Sequence, residues 1–128
     1  MFGVKFITVG TLKEGYLRDA AAEYEKRLGA FCRFEMIQLK EEKLSEKPSA
    51  AEINNALERE AAKIMAEVSS RSYCIAMCVE GTQLSSEDFA SLIADARDTS
   101  GKVCFVIGSS YGLSPRVMQR ANARISFS

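Results

Sequence analysis

The sequence predicts an α/β fold: a mostly parallel sheet with helices on both faces. Strand-like and helix-like segments alternate along the 128 residues, and this order produces parallel sheets. The runs at 73–79 (YCIAMCV) and 103–107 (VCFVI) are continuously apolar, as in strands buried on both faces. No linker or repeat interrupts a chain of this length, which can bury about two-thirds of its unfolded surface. We therefore predict one domain spanning residues 1–128.

The first quarter of the chain predicts strand, helix and strand. Residues 4–9 (VKFITV) alternate in polarity and stop at Gly10, which indicates a first strand. Apolar residues then recur at spacings of three and four over 13–28, and Gly29 follows where a helix favours a left-handed residue. Residues 33–39 (RFEMIQL) predict a second strand, which the polar stretch 40–48 ends.

A second helix is predicted from the Ser49 cap to residue 68. Ser49 and Glu52 have the spacing of a capping box. Apolar residues mark one face of this helix, and we interpret the charges between them as a solvated opposite face. Those charged residues are Glu58, Arg59, Glu60 and Lys63.

The remaining elements follow from similar patterns. The strand at 73–79 ends at Glu80-Gly81, and a serine cap at Ser85 or Ser86 begins a helix through residue 97. After the strand at 103–107, Ser114-Pro115 gives a helix start for residues 115–122. The last five residues, 124–128 (RISFS), predict a terminal strand.

Composition excludes several classes of protein. Hydrophobic residues at 47% and charged residues at 27% are ordinary for a soluble protein. No apolar run approaches the ~20 residues of a membrane span, and the N-terminus does not have the pattern of a signal peptide, so we expect a cytoplasmic protein without a membrane partner. The four cysteines lie in apolar runs without Cys-x-x-Cys spacing, which favours buried thiols and predicts no metal site.

Charge and histidine content restrict the chemistry further. Seventeen basic and seventeen acidic side chains cancel, so any RNA-binding role requires a local basic patch or a partner. The chain has no histidine, which excludes histidine-based catalytic triads and histidine-ligated zinc.

The segment from Gly108 to Gly112 is the candidate site. It follows a buried strand and precedes a helix, the place where open α/β sheets bind ligands. Its sequence, GSSYG, matches neither a phosphate loop, nor Gly-x-Gly-x-x-Gly, nor the Gly-x-Ser-x-Gly elbow. A plain turn and a ligand-binding loop are both compatible with this spacing.

Three separated motifs resemble one family. They are VGTLKEGYLRDAAAEYEKRL at 9–28, VEGTQLSSEDFA at 79–90 and FVIGSSYGLSPRV at 105–117, followed by the closing RISFS. Together they resemble the RlmH family of bacterial SPOUT-class methyltransferases. This resemblance implies a SPOUT (α/β-knot) fold and a homodimer that uses S-adenosylmethionine (SAM) to methylate a ring nitrogen of a pseudouridine in 23S ribosomal RNA, in the free large subunit or the ribosome.

The resemblance also implies cofactor-binding residues: Met77, Gly108, Phe127 and Ser128. Met77 would form an apolar wall for adenine, although simple core packing explains a methionine there equally well. Ser109 stands where the family has a second glycine. No residue is assigned as the catalytic base. Glu80 is the nearest acidic candidate, and a charged turn residue is the simpler interpretation.

The resemblance implies that family members continue beyond the position of Ser128 with a further C-terminal segment. In the family, this segment completes the cofactor loop, forms the knot and contributes to the dimer interface. We therefore expect this chain to lack the knot-forming segment, and its methylation activity to be impaired. The alternative is a non-catalytic α/β domain that associates with a partner chain through an uncovered sheet region around Ile125 and Phe127.

Overall fold

The structure is a computed structural model that describes residues 2–10, 22, 26, 32–109 and 111–126. Within these residues the strands are β1 (Phe2–Val9), β2 (Cys32–Leu39), β3 (Tyr73–Gln83), β4 (Lys102–Ile107) and β5 (Ala123–Ser126). Three helices are described over their whole length: α1 (Ala50–Glu67), α2 (Ser86–Ser100) and α3 (Pro115–Arg120). The helix predicted at 13–28 lies outside the described residues, apart from positions 22 and 26.

The strands of the described residues form one five-stranded sheet in the order β2-β1-β4-β3-β5. Every pair of neighbouring strands is parallel, which confirms the predicted α/β class. From β1 the chain continues to β2 at one end of the strand order, and from β4 it continues to β5 at the other end. Because β1 and β4 are neighbours, the topology reverses between them, and such a reversal opens a crevice at the carboxyl ends of the strands.

One hydrophobic layer lies between the sheet and α2. Ile93 and Ala96 of α2 are buried there against residues of the strands β1, β4, β3 and β5. The rings of Phe6 and Phe105 stack with centroids 4.6 Å apart, and Phe89 stacks on Phe105 at 5.9 Å. Aromatic stacking adds to the apolar burial that holds α2 on this face.

The opposite layer lies between the sheet and the pair α1 and α3. Ala61 and Ile64 of α1 and Val117 of α3 are buried there, and α1 also contacts α3. The strand β4 contributes to both layers, since all its residues from Val103 to Ile107 are buried. The prediction that this strand is buried on both faces is confirmed.

The predicted helix starts are also confirmed. The Ser49 hydroxyl accepts from the Glu52 N–H at 3.1 Å, and the Glu52 carboxylate accepts from the Ser49 N–H at 3.1 Å. Ser85 caps α2 by accepting from the N–H of Asp88 at 3.0 Å. At the other end of α2, Gly101 has the left-handed backbone conformation, with φ +68°.

Several predicted boundaries differ from the structure. β1 begins at Phe2 instead of residue 4, α2 continues to Ser100 instead of ending at residue 97, and tertiary contacts explain two further differences. β3 continues to Gln83 instead of ending at residue 79, since Ile125 of β5 pairs first with Met77 and then, after a register shift, with Thr82. α3 ends at Arg120 instead of 122, because Asn122 bonds to β3 through its own backbone N–H.

The C-terminal sheet region differs from the expectation of an uncovered surface. Ile125 is only 4% exposed and belongs to the hydrophobic layer under α2. The prediction that Ile125 is an uncovered apolar residue is therefore wrong, and Phe127 lies outside the described residues.

The described cysteine side chains behave largely as predicted. Cys74 and Cys104 are buried thiols and Cys78 is half-buried, and burial raises the pKa of Cys104 to about 12. In the part of the chain that the structure describes, no group of side chains is arranged to hold a metal ion. None of the described helices is long and apolar enough to cross a membrane.

Candidate functional site

The loop after β4 lies at the topological reversal of the sheet. β1 and β4 pair up to Thr8 and Ile107, and Gly108 comes next in the chain. In parallel α/β sheets this position, outside the carboxyl ends of two strands with diverging connections, is the usual place of a ligand. The fold thus favours the ligand-loop interpretation of the glycine segment over a plain turn.

The loop itself is a tight turn. The N–H of Gly112 donates to the carbonyl of Ser109 at 2.8 Å, and Gly112 has φ +88°, a conformation that favours glycine. A Cβ on Gly108 would collide with the carbonyl of Gly112 and lie 2.9 Å from Leu113 Cδ2. Glycine at 108 is therefore required by the turn's own packing, a reason that the sequence pattern did not reveal.

Met77 lies beside this loop but its side chain is in the core. It pairs with Ile107 of β4 on one side and with Ile125 of β5 on the other. Its side chain is 6% exposed and packs in the layer under α2. The structure brings Met77 and the residue before Gly108 together at one edge, whereas contact between Met77 and a cofactor stays a prediction.

The other predicted cofactor residues, Phe127 and Ser128, lie outside the described residues. The last described strand nevertheless leads toward the same edge, since Ile125 is paired with Met77. Gly81 makes this pairing possible: a Cβ there would lie 2.5–2.7 Å from backbone atoms of Ile125. Glu80 belongs to β3, and its role as a base stays a prediction.

A buried carboxylate near the loop was missed by the sequence analysis. Glu60, interpreted as part of a solvated helix face, is only 4% exposed, so that interpretation is wrong for this residue. It is correct for Glu58, Arg59 and Lys63, which are exposed. The spacing held a signal: Glu60 follows Leu57 by three positions and precedes Ile64 by four, which places it on the apolar stripe of α1.

Glu60 joins two segments to α1 at the carboxyl edge of the sheet. Its Oε1 accepts a hydrogen bond from the Ser109 hydroxyl at 3.2 Å, and its Oε2 accepts from the Glu42 N–H at 2.9 Å. Both oxygens are satisfied, as a buried carboxylate requires. The carboxylate of Glu42 in turn pairs with Lys63 at 3.1 Å, and the hydrogen bond from Lys63 lowers the pKa of Glu42.

The chain segment around the loop carries only basic charges, although the whole chain is neutral. No aspartate or glutamate occurs between residues 99 and 128, while this segment contains Lys102, Arg116, Arg120 and Arg124. Arg116 and Arg124 are exposed and Arg120 is half-buried. Tyr111, at the tip of the loop, is 47% exposed. Arg116, in the first turn of α3, follows the loop directly, whereas Lys102 lines the cleft at the amino-terminal edge and Arg120 bonds to the carbonyls of Ser69 and Ser72 at that same edge. Among the described residues, the loop therefore has one exposed arginine beside it.

A cleft of 560 Å³ lies at the opposite, amino-terminal edge of the sheet, where its lining includes Gly3, Lys5 and Lys102. Lys5 is bound there to Glu67, with its Nζ 2.9 Å from the backbone carbonyl and 3.2 Å from the carboxylate. Parallel sheets bind ligands at the other edge. The cleft is therefore not the candidate site.

Comparisons with known proteins agree with this fold. A family model described as "Predicted SPOUT methyltransferase" matches residues 2–128. A ribosomal RNA large subunit methyltransferase H of Ligilactobacillus salivarius is 45% identical over 125 residues, which are 97% of this chain and 79% of that protein. The protein of the same name from Streptococcus thermophilus is 48% identical over the same shares of the two chains. The chain therefore belongs to the SPOUT methyltransferases, in the family of ribosomal RNA large subunit methyltransferase H.

Proposed function

We propose that this chain is a SAM-dependent methyltransferase that modifies large-subunit ribosomal RNA. The observation that carries the proposal is its identity of 45% and 48%, over 97% of its length, with relatives named for that activity. The position of the Gly108 loop at the reversal of the sheet supports it independently, because the loop lies where α/β enzymes bind their ligands.

The residues at this edge suit SAM. Its adenine requires an apolar wall and its polar groups require backbone donors and acceptors. Met77 of β3 and Ile107, the last residue of β4, are paired apolar neighbours, and Gly108 continues the backbone of β4 into the turn. We propose that Met77 and Gly108 bind SAM together with Phe127 and Ser128.

When bound, SAM supplies a methyl group carried on a positively charged sulfur. The chain's own task is to hold the substrate nitrogen in line with that methyl group and to exclude water. A proton acceptor for the ring nitrogen is also needed. Glu80, three residues after Met77 on β3, is the nearest acidic candidate, and we infer this role from its sequence position alone. The substrate nitrogen that we propose is that of a pseudouridine, as the family resemblance implies.

Two exposed residues at the loop, Tyr111 and Arg116, give the RNA a place to bind. Arg116 is exposed in the first turn of α3, and arginine binds phosphate through two parallel hydrogen bonds. The exposed ring of Tyr111 can stack on an unpaired base, which is how proteins recognise single-stranded RNA. We propose that ribosomal RNA contacts Arg116 and Tyr111 while its target base enters the site beside Gly108.

The family resemblance supports three further proposals. We infer that the 128 residues form one methyltransferase domain, that the protein works in the cytoplasm on the large subunit or the ribosome, and that the active form is a homodimer. The alternative of a non-catalytic partner-binding domain has no support, since Ile125, on which it rested, is buried.

Calorimetric titration with SAM tests the cofactor proposal. It is applied to the 128-residue chain and to the same chain extended with the C-terminal family segment, because the match covers 79% of the relatives. We expect the extended chain to bind SAM and the 128-residue chain to bind weakly or not at all. Tight binding by the shorter chain would contradict the predicted need for that segment. Absence of binding in both would contradict the proposed function.

Transfer of radiolabelled methyl groups to unmodified ribosomes tests the substrate proposal. In the extended chain, we expect Arg116→Glu to lower methylation by about tenfold or more with SAM affinity unchanged, because it replaces a phosphate-binding charge by a repelling one. Arg97→Glu is the matched control, since Arg97 is an exposed arginine at the end of α2, on the opposite layer. Equal activity in the two variants would exclude the surface around Arg116 from RNA binding.

A further inference from the structure

The buried carboxylate of Glu60 has no cation among its hydrogen-bond partners in the described residues. At 4% exposure, an ionised carboxylate is costly unless hydrogen bonds satisfy its oxygens. Here both bonds come from neutral donors: the Ser109 hydroxyl at 3.2 Å and the Glu42 N–H at 2.9 Å. A hydrophobic residue of similar size would fill the same space without that cost. Unlike a hydrophobic residue, the carboxylate fixes the positions of the two segments that donate hydrogen bonds to it.

Glu60 is itself held firmly. Its neighbour Ala61 and the following Ile64 are 0% and 1% exposed in the layer between α1 and the sheet. The Glu42 segment is fixed to the same helix a second time by the ion pair of its carboxylate with Lys63 at 3.1 Å. The Ser109 hydroxyl is therefore bound to an acceptor that is fixed relative to the sheet.

Ser109 is also the residue on which the turn closes. Its carbonyl accepts from the N–H of Gly112 at 2.8 Å, and it follows Gly108 directly. A hydrogen bond that fixes Ser109 thus fixes both the start and the closing bond of the turn. This serine occupies the position where the family pattern has a second glycine, so the hydroxyl gives this chain a side-chain anchor that a glycine would not offer.

We propose that Glu60 is a positioning residue that holds Gly108, Ser109 and Gly112 in the conformation that binds SAM, acting through the Ser109 hydroxyl. This inference rests on the proposed function, because it takes that loop as part of the SAM site. It assigns to α1, a helix without a predicted cofactor residue, a role in cofactor affinity.

Glu60→Gln and Ser109→Ala test the proposal from its two sides. Glutamine keeps the size of the side chain but replaces one carboxylate oxygen by an NH2 donor, so one of the two charge-assisted hydrogen bonds is lost or is replaced by a weaker neutral bond, whereas alanine at 109 removes the hydroxyl donor altogether. Asn122→Ala is the control: Asn122 Oδ1 accepts from the Cys74 N–H at 2.9 Å near the start of β3, so its loss also breaks a hydrogen bond, but away from the loop. Thermal unfolding of all three variants shows whether each is folded and how much stability it loses.

Hydrogen exchange of the peptide that contains Gly112, measured without cofactor, reports the loop directly. We expect faster exchange there in Glu60→Gln and Ser109→Ala and no change in Asn122→Ala. We also expect SAM binding by the extended chain to weaken by about tenfold in the two loop variants and to be unchanged in the control. Ser109→Ala keeps the test valid if Glu60→Gln does not fold.

The two proposals fail in different ways. If the unaltered protein binds SAM but both loop variants bind it equally well, the role of Glu60 is refuted and the proposed function stands. Unchanged loop exchange in the variants likewise refutes the role of Glu60. If neither the 128-residue chain nor the extended chain binds SAM, the proposed function fails, and so does the proposed effect of Glu60 on SAM affinity. The hydrogen-exchange measurement then still tests whether Glu60 fixes the loop.

Discussion

Replacing Gly108 with alanine is expected to destabilise the protein, because the turn leaves no space for a side chain. A Cβ at this position would collide with the carbonyl of Gly112 and approach Leu113 Cδ2 to 2.9 Å. The Gly112 carbonyl belongs to the backbone of a closed turn, so it cannot move away unless the turn moves with it. The loop must therefore shift, and relieving overlap of this kind costs about 1–3 kcal/mol.

Gly3→Ala is the matched control for this substitution. A Cβ on Gly3 would meet only Lys102 Cγ, at 3.5 Å, which is an ordinary van der Waals contact. Because alanine also reduces the conformational entropy of the unfolded chain, we expect this variant to be neutral or more stable by up to about 1 kcal/mol. The two variants should thus differ by roughly 1–4 kcal/mol in free energy of unfolding, or by roughly 4–16 °C in melting temperature for a domain of this size.

Urea unfolding followed by circular dichroism measures both free energies, and Gly81→Ala extends the series. A Cβ on Gly81 would lie 2.5–2.7 Å from three backbone atoms of Ile125, so we expect a loss similar to that of Gly108→Ala. A Gly108→Ala variant as stable as Gly3→Ala would show that the loop adapts without cost. The explanation of Gly108 by packing within the turn would then be wrong.

Three further predictions concern ionisation and capping. Burial raises the pKa of the Cys104 thiol to about 12, so at pH 8 this thiol should react with maleimide only when the protein unfolds. Peptide mapping should show faster labelling at the half-buried Cys78, and comparable labelling rates at the two cysteines would contradict the burial of Cys104. Because Lys63 lowers the pKa of Glu42 in the folded state, this pair should stabilise the protein above about pH 4.5 and lose that contribution as the pH falls through the folded pKa of Glu42. In urea unfolding at several pH values, the free energy of unfolding of Lys63→Met should depend less on acid pH than that of the unaltered protein. An identical pH dependence would exclude the pair as a contributor. Ser49→Ala should lower the free energy of unfolding by about 1 kcal/mol, because it removes the N-cap acceptor of α1; a loss below about 0.3 kcal/mol would mean that water replaces the cap.

The prediction from sequence succeeded where the determining interactions are local. The capping box of Ser49 and Glu52 involves residues three positions apart, and the burial of β4 follows from its uninterrupted apolar run. Parallel order follows from the alternation of strands and helices. These features depend on neighbouring residues or on composition, both of which the sequence displays directly.

The site was predicted in part. The loop after β4 was chosen as a candidate from its glycines and its place between strand and helix; its position at the reversal of the sheet is consistent with that choice, and ligand binding there stays a prediction. Gly108 was attributed to cofactor binding, which stays a prediction, and the structure adds a second reason for glycine, because a Cβ there would collide with the carbonyl of Gly112. Glu60 was assigned to the surface because a charged residue on a helix is usually solvated.

The sequence alone determined the α/β class, the main helix starts, the buried strands and the family motifs, because these follow from short-range spacing and residue type. Only the tertiary structure decided the strand order β2-β1-β4-β3-β5, the extension of β3 along Ile125 and the burial of Glu60 against Ser109. The physical reason is that residues 49 positions apart come together only when the sheet has formed. A carboxylate that looks solvated on an isolated helix can then find its hydrogen-bond donors in a loop from the other half of the chain.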